Sequence, residues 1–254
     1  MTAGKPSRKE KQVRDNNRTA YELRPIAFVA DYVRNVPGSV LCEQGNTRVV
    51  ATATVEDRTP FFLRKSGQGW VTAEYAMLPG SSGNQRILRE RGKINNRSGE
   101  IQRFIARALR TVLNLKEIGE RTITLDADVI QADGSTRCAS LNAGFLALIL
   151  SLKYLVYEQM IADFPGFQFI AAVSIGVRDK EILVDLDYEE DSRIDNDINI
   201  VSNADGALIE VQSFCEGSPL SPDLFQKALA LGIEKNLEIV AIQKKVLESA
   251  GIPF

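Results

Sequence analysis

Two segments of this chain carry residue types at a spacing that can do chemistry. The first, Leu125-Asp126-Ala127-Asp128-Val129-Ile130-Gln131-Ala132-Asp133-Gly134-Ser135-Thr136-Arg137, reads as a strand, a tight polar turn and the start of a long apolar helix near Cys138. A turn at a helix N-terminus presents free backbone N–H groups and the positive end of the helix dipole. A hydroxyl from Thr136 and a guanidinium from Arg137 would complete a small pocket suited to phosphate. The second segment, Asp185-Leu186-Asp187-Tyr188-Glu189-Glu190-Asp191-Ser192-Arg193-Ile194-Asp195-Asn196-Asp197, is dense in carboxylates. Strand alternation would place Asp185, Asp187 and Glu189 on one face, with Leu186 and Tyr188 on the other. Such carboxylates repel one another unless solvated or bound to a cation. As hard oxygen donors they suit Mg²⁺ or Mn²⁺, held by one or two carboxylates together with substrate phosphates. The glycine and terminal glutamate of an EF-hand do not fall in place. Each segment also has a plainer reading, as an ordinary strand-to-helix turn and as the solvated end of a hairpin.

Composition narrows the chemistry. The 254 residues contain no histidine, which removes Ser-His-Asp and Cys-His nucleophiles, imidazole bases and His-ligated zinc together. The three cysteines, Cys42, Cys138 and Cys215, are far apart and odd in number, so neither a disulfide framework nor a thiolate metal site is expected, and a reducing compartment is favoured. Cys138 beside the turn is read as a packing residue rather than a nucleophile. A formal charge of −2 gives no global basic field, so any polyanion must be met by a local cluster. The polar stretch from Pro79 to Asn96 supplies one, with Arg86, Arg89, Arg91 and Lys93 against the single acid Glu90. No run reaches the length of a membrane span, and Met1 to Arg18 lacks the apolar stretch of a secretory signal. A cytoplasmic protein without membrane partners is expected.

These groups need elements to position them. Residues 1–17 are charged and poor in large apolar side chains, and are read as a flexible extension before a single domain over 18–254. Gly38–Gln44 and Thr47–Val55 are strands joined by a hairpin turn at Gly45-Asn46, and Gly69–Tyr75 is a further strand. Ser98 to Leu115 carries Ile101, Phe104, Ile105, Ala108, Leu109, Val112 and Leu113 at helical spacing, with Arg103, Arg107 and Arg110 on a neighbouring stripe. Ala139 to Tyr157 is apolar nearly all round and must be buried. Phe169–Val177 with Glu181–Tyr188, and Asp197–Val201 with Ala207–Gln212, form two more hairpins. Ser221-Pro222-Asp223 launches a last helix reaching about Ala250. Strands followed by helices, twice over, predict an α+β fold of duplicated βαβα-like halves, with mixed sheets packed against helices. A phosphate turn, an acidic cluster and a basic loop together point to metal-assisted phosphoryl or nucleotidyl transfer on nucleic acid or nucleotides. They leave the nucleophile open between water and phosphate.

The chain resembles the ribonuclease PH family of phosphorolytic 3′-5′ exoribonucleases, or tRNA nucleotidyltransferases. The resemblance is carried by Glu22-Leu23-Arg24-Pro25, Gly67-Gln68-Gly69-Trp70-Val71-Thr72-Ala73-Glu74-Tyr75, Glu100-Ile101-Gln102-Arg103, Val129-Ile130-Gln131-Ala132-Asp133-Gly134, Thr136-Arg137, Asp185-Leu186 with Tyr188, and Glu190-Asp191-Ser192. It implies the family's fold, and inorganic phosphate attacking the last phosphodiester of a tRNA 3′ end to release nucleoside 5′-diphosphates reversibly. By position it implies phosphate binding at Arg97, Thr136 and Arg137 with backbone from Ser135, and a Mg²⁺ or Mn²⁺ site at Asp191 and Asp197. RNA or interface contacts fall on Arg58, Arg64, Arg86 and Arg89. A hexameric ring, a trimer of dimers, is the implied assembly. Three departures stand out: Ser135 and Cys138 replace a glycine and a threonine of the family's Gly-Gly-Thr-Arg-Thr turn, Gly80 stands where an arginine is usual, and Ser98-Gly99 replaces a Thr-Met pair. A metal-dependent hydrolytic nuclease and a non-catalytic ring subunit are the competing readings.

Overall fold

A computed structural model describes residue 14 and residues 17–83, 85–90, 92 and 94–254. The first half builds β1 (Ile26–Ala30), β2 (Gly38–Gln44), β3 (Thr47–Glu56), β4 (Trp70–Met77), α1 (Asn96–Leu109), β5 (Thr122–Gln131) and α2 (Thr136–Tyr157). The second builds β6 (Ile170–Arg178), β7 (Glu181–Val184), the single turn α3 (Tyr188–Asp191), β8 (Asn196–Asn203), β9 (Leu208–Cys215) and α4 (Pro222–Ser249). The first sheet has the order β1-β2-β3-β5-β4 and is mixed, because β4 runs parallel to β5 with Tyr75 beside Ala127. The second, β7-β6-β8-β9, is antiparallel throughout, with Asp197 opposite Phe214 in β8 and β9.

Helix α2 explains why the two sheets hold together. It packs on β2, β3 and β5 of the first sheet and on β6 of the second. That contact on several sides is what an all-round apolar helix requires. It is also the one described helix long and apolar enough to cross a membrane, and most of its surface is buried inside the fold. Helix α1 covers β4, and α4 covers β6 and β8. Gly38 lets the first sheet approach α2 closely, since a Cβ there would fall 2.1 Å from the Ala147 carbonyl oxygen.

Two local expectations are corrected. The helix read as Ser98–Leu115 spans Asn96–Leu109. Asn95 caps it by accepting from the Ser98 N–H at 2.7 Å, it ends with Arg110 as C-cap, and Leu113 beyond it forms an isolated bridge with Phe167. Val112 and Leu113 are still buried, but off the helix. Strand alternation does not continue through Asp185 either. Strand β7 ends at Val184, and Asp185 takes a left-handed φ of 53° and turns inward. Asp187 then N-caps α3 in a reciprocal capping box with Glu190.

Within the stretch read as an extension, Arg14 is buried. Its Nε and Nη2 donate to Glu190 at 2.5 and 2.7 Å, and Nη2 also donates to the Val184 carbonyl at 2.7 Å. Residues 1–13, 15 and 16 lie outside the described residues.

Candidate active site

Ser135 holds the turn between β5 and α2 in the left-handed conformation, φ 55° and ψ 22°, which a glycine adopts more cheaply. Its side chain does not cap the helix. Instead Ser135 Oγ lies 2.5 Å from Ser174 Oγ and donates to the Leu186 carbonyl at 3.1 Å. The Ser135 hydroxyl thus works on the side of the turn facing β6. The first intrahelical bond of α2 runs from the Ala139 N–H to the Ser135 carbonyl, so the amides of Thr136, Arg137 and Cys138 precede the helical ladder and are free for an anion.

The turn is braced from below. Thr47 Oγ1 donates to the Gly134 carbonyl at 2.7 Å and accepts from the Asp133 N–H at 3.0 Å. Gly134, at φ 73°, has no room for a Cβ, which would lie 2.2 Å from the Leu186 carbonyl oxygen. Asp133 joins this turn to the acidic one, accepting from the Tyr188 N–H at 3.2 Å.

Each predicted side chain has a defined setting. Thr136 is buried, and its Oγ1 accepts from Tyr75 Oη at 3.0 Å. Arg137 is held by Glu100, with Nη1 at 3.2 Å from one carboxylate oxygen and Nη2 at 3.1 Å from the other, and it also donates to Gln212. Its guanidinium carbon stands 5.8 Å from the ring centres of both Phe104 and Phe214. Cys138 is fully buried, donating to Asn199 Oδ1 at 3.3 Å, and burial drives its thiol well above the usual cysteine range. Such an enclosed thiol has the setting of a packing residue. Asn199 in turn donates to Asp197 Oδ2 at 2.9 Å.

Arg97, Ser135, Thr136, Arg137, Asp191 and Asp197 all line one cleft of about 1470 Å³. Arg89 reaches its rim. Arg86 is exposed on the same loop without lining the cleft. Arg58 and Arg64 lie away from it, Arg58 paired with Glu56 at 3.0 Å and Arg64 over the Phe61 ring at 5.4 Å. Arg91 and Lys93 are outside the described residues.

Burial acts on both carboxylates assigned to the metal. Burial first, then the nearby charge of Asp191, pushes the Asp197 carboxyl up to about 6 against the hydrogen bond from Asn199 and the pull of Arg137 and Arg97. Asp191 is also raised, by burial in the cleft and by Glu216, with Arg97 and Arg137 opposing. Among the described residues no group of three or more acidic or cysteine side chains gathers as a complete metal cage. Two carboxylates with substrate phosphate oxygens are, however, a donor set that suits Mg²⁺. Glu189, Asp195 and Glu216 line the same wall, which would repel an RNA backbone unless a cation intervened.

The first domain of the 3′ exoribonuclease family matches residues 22–153, and its second domain matches residues 168–235. The chain belongs to the 3′ exoribonuclease family. It is 46% identical over 239 residues to ribonuclease PH of Bacillus subtilis (strain 168), covering 92% of this chain and 97% of that protein. It is 44% identical over 237 residues to ribonuclease PH of Moorella thermoacetica, covering 92% and 94%. Among solved structures it resembles the RNA-bound Archaeoglobus fulgidus exosome (TM-score 0.76, 20% identity, 90% of this chain and 91% of the other). It also resembles rice Rrp46 (TM-score 0.73, 17% identity, 91% and 98%). At these identities the two structures speak to the shared fold.

Sequence reasoning missed several participants. Tyr75 and Glu100 stand in the sequence only as parts of motifs, and Gln212, Phe214, Ser174 and Asn199 carry no local signal. They come from α1, β4, β6, β8 and β9, and only the tertiary packing of those elements brings them to the turn.

Proposed function

We propose that this chain is a phosphorolytic 3′-5′ exoribonuclease that trims tRNA precursors. Inorganic phosphate would seat on the free amides of α2, the Thr136 hydroxyl and the guanidiniums of Arg137 and Arg97. Held there, it is aligned with the last phosphodiester of the RNA, and its charge is offset by two arginines. Phosphate oxygen attacks the scissile phosphorus, the ribose 3′ oxygen of the shortened RNA leaves, and a nucleoside 5′-diphosphate is released. Because one phosphate linkage replaces another, the reaction runs in both directions.

Asp191 and Asp197 are the residues that would hold Mg²⁺ or Mn²⁺, which supplies neutralisation of charge on the scissile phosphate and the leaving oxygen. The chain's own contribution is positional. Glu100 and Gln212 fix the plane of Arg137, while Asn199 holds Asp197. The observation that carries this reading is one cleft lined by both the helix N-terminus with Arg137 and the Asp191–Asp197 pair. The same reading includes a homo-oligomeric ring, a hexamer built as a trimer of dimers, in a cytoplasmic setting, and the likeness to ribonuclease PH supports it. Arg86 and Arg89 are assigned to RNA binding or assembly, and Arg58 and Arg64 to RNA or subunit contacts outside the cleft.

The test is to incubate a tRNA precursor with the protein and Mg²⁺, with and without phosphate, and separate the products. Nucleoside diphosphates that depend on phosphate are expected. Monophosphates formed without phosphate would make the chain a hydrolase, and absence of products would make it a structural ring subunit.

A further inference from the structure

Phe214 presents an open aromatic ring beside the two charged groups of the cleft. Leu88, Ile94 and Ile194 also line the cleft, but Phe214 stands between Asp197 and Arg137, and 45% of it is open to solvent. It faces Asp197 directly across the β8–β9 ladder, and opposed residues in antiparallel strands project to the same face of a sheet. Its ring therefore stands beside the carboxylate assigned to the cation. On another side it lies against Arg137, 5.8 Å from the guanidinium carbon. Phe104 is at the same distance from that carbon but fully buried, so Arg137 already has an apolar neighbour in the core. Packing around Arg137 does not account for leaving a second aromatic ring in water.

If phosphate sits on Arg137 and the cation on Asp197, the scissile phosphate lies between them. The terminal nucleotide then extends from that point into the cleft, past the ring flanked by both residues. We propose that Phe214 is the stacking surface for the base of the RNA's 3′-terminal nucleotide; this rests on the reading of the cleft as a 3′-end site. Every base has a π face, so a single ring accepts successive nucleotides without regard to sequence. That is the demand placed on an enzyme that shortens its substrate one residue at a time. The other exposed aromatic of the cleft, Tyr188, sits on α3 next to the acidic turn and has neither the register with Asp197 nor the contact with Arg137.

The experiment binds the full chain, without phosphate, to a short single-stranded RNA carrying 2-aminopurine as its 3′-terminal base, whose fluorescence is quenched by stacking. Quenching is expected with the wild-type chain and with Phe214→Tyr, and should be lost with Phe214→Leu, which keeps the bulk without the ring. In phosphorolysis Phe214→Leu should raise KM for RNA about tenfold or more, with a smaller effect on KM for phosphate, and Phe214→Tyr should restore it. A wild-type chain that binds the probe without quenching, or a Phe214→Leu chain that quenches and turns over as the wild type does, overturns the stacking role. A wild-type chain that quenches the probe yet releases no diphosphate upholds the stacking and overturns only the reaction assigned to the cleft.

Discussion

Arg24 and Asp185 form an ion pair sealed from water, and that pair ties the two chemical turns of the molecule to each other. The Arg24 backbone N–H, Nε and Nη2 donate to the Asp185 carboxylate at 2.8, 3.1 and 2.7 Å, and Gln44 Nε2 adds a fourth bond at 2.6 Å. The remaining Arg24 nitrogen, Nη1, donates to the Asp133 carbonyl in the phosphate turn. Asp185 stands at the head of the acidic turn leading to Asp191. One buried guanidinium thus fixes the spacing of both halves of the site.

Burial alone would raise the Asp185 carboxyl, but Arg24 and the bonds from Arg24 and Gln44 overcome it and hold it below the usual range. A depressed folded-state pKa contributes stability that is present above the unfolded value and lost as pH falls through the folded one. Arg24→Ala leaves the carboxylate buried without a partner and should cost about 3–5 kcal/mol near neutrality. The deficit should shrink in acid, where a protonated Asp185 needs no counter-charge. Urea unfolding of both proteins at about pH 7 and about pH 4.5 checks this, and a deficit below about 1 kcal/mol near neutrality would count against the pair's importance.

Asp197 should behave oppositely. With its carboxyl at about 6, above the unfolded value of about 3.9, its contribution to stability is full below the unfolded pKa and is lost as pH rises through the folded one. Asp197→Asn should therefore raise the stability of the metal-free chain by about 1–3 kcal/mol at about pH 7.5 while removing magnesium-dependent activity. Thermal unfolding in chelator, read beside a magnesium titration of activity, tests both parts. A variant with normal magnesium dependence would take Asp197 out of the site.

Arg137→Lys keeps the charge but gives up the planar fork that Glu100 orients through two bonds. KM for phosphate should rise about ten- to a hundredfold, the loss of one or two charge-assisted hydrogen bonds, with KM for RNA changing far less. Steady-state rates at limiting phosphate and saturating RNA decide it; an unchanged phosphate KM would move phosphate elsewhere.

The basic loop is braced by the Ile87 N–H donating to the Pro79 carbonyl at 2.9 Å, which leaves Arg86 and Arg89 exposed. Arg86→Ala with Arg89→Ala should weaken tRNA binding, flatten its salt dependence by about one and a half powers of salt concentration, or break the ring. Sedimentation and binding at two salt concentrations read these effects. An intact hexamer with wild-type affinity and salt slope would contradict the assignment.

The turn at Gly134 to Arg137 could be read from the chain because a short polar link between an apolar strand and an all-apolar helix leaves few other geometries. The acidic turn was only half readable. Its composition announced cation chemistry, but alternation put Asp185 and Asp187 on a common face, whereas Asp185 is buried against Arg24 and Asp187 caps α3. Nothing local marks Asp185 for burial against a guanidinium far away in sequence. Likewise Glu100, Gln212 and Phe214 meet Arg137 only because α1 and β9 both pack near the start of α2. Long-range juxtapositions of this kind carry no periodicity and no motif.

The central claim, that phosphate rather than water is the nucleophile, is tested most directly by tracing the phosphate. The protein is given tRNA precursor, Mg²⁺ and inorganic phosphate labelled with radioactive phosphorus, and the released mononucleotides are separated. Label is expected in the terminal phosphate of nucleoside 5′-diphosphates, with none in the shortened RNA. Unlabelled monophosphates formed at the same rate whether or not phosphate is present would contradict it.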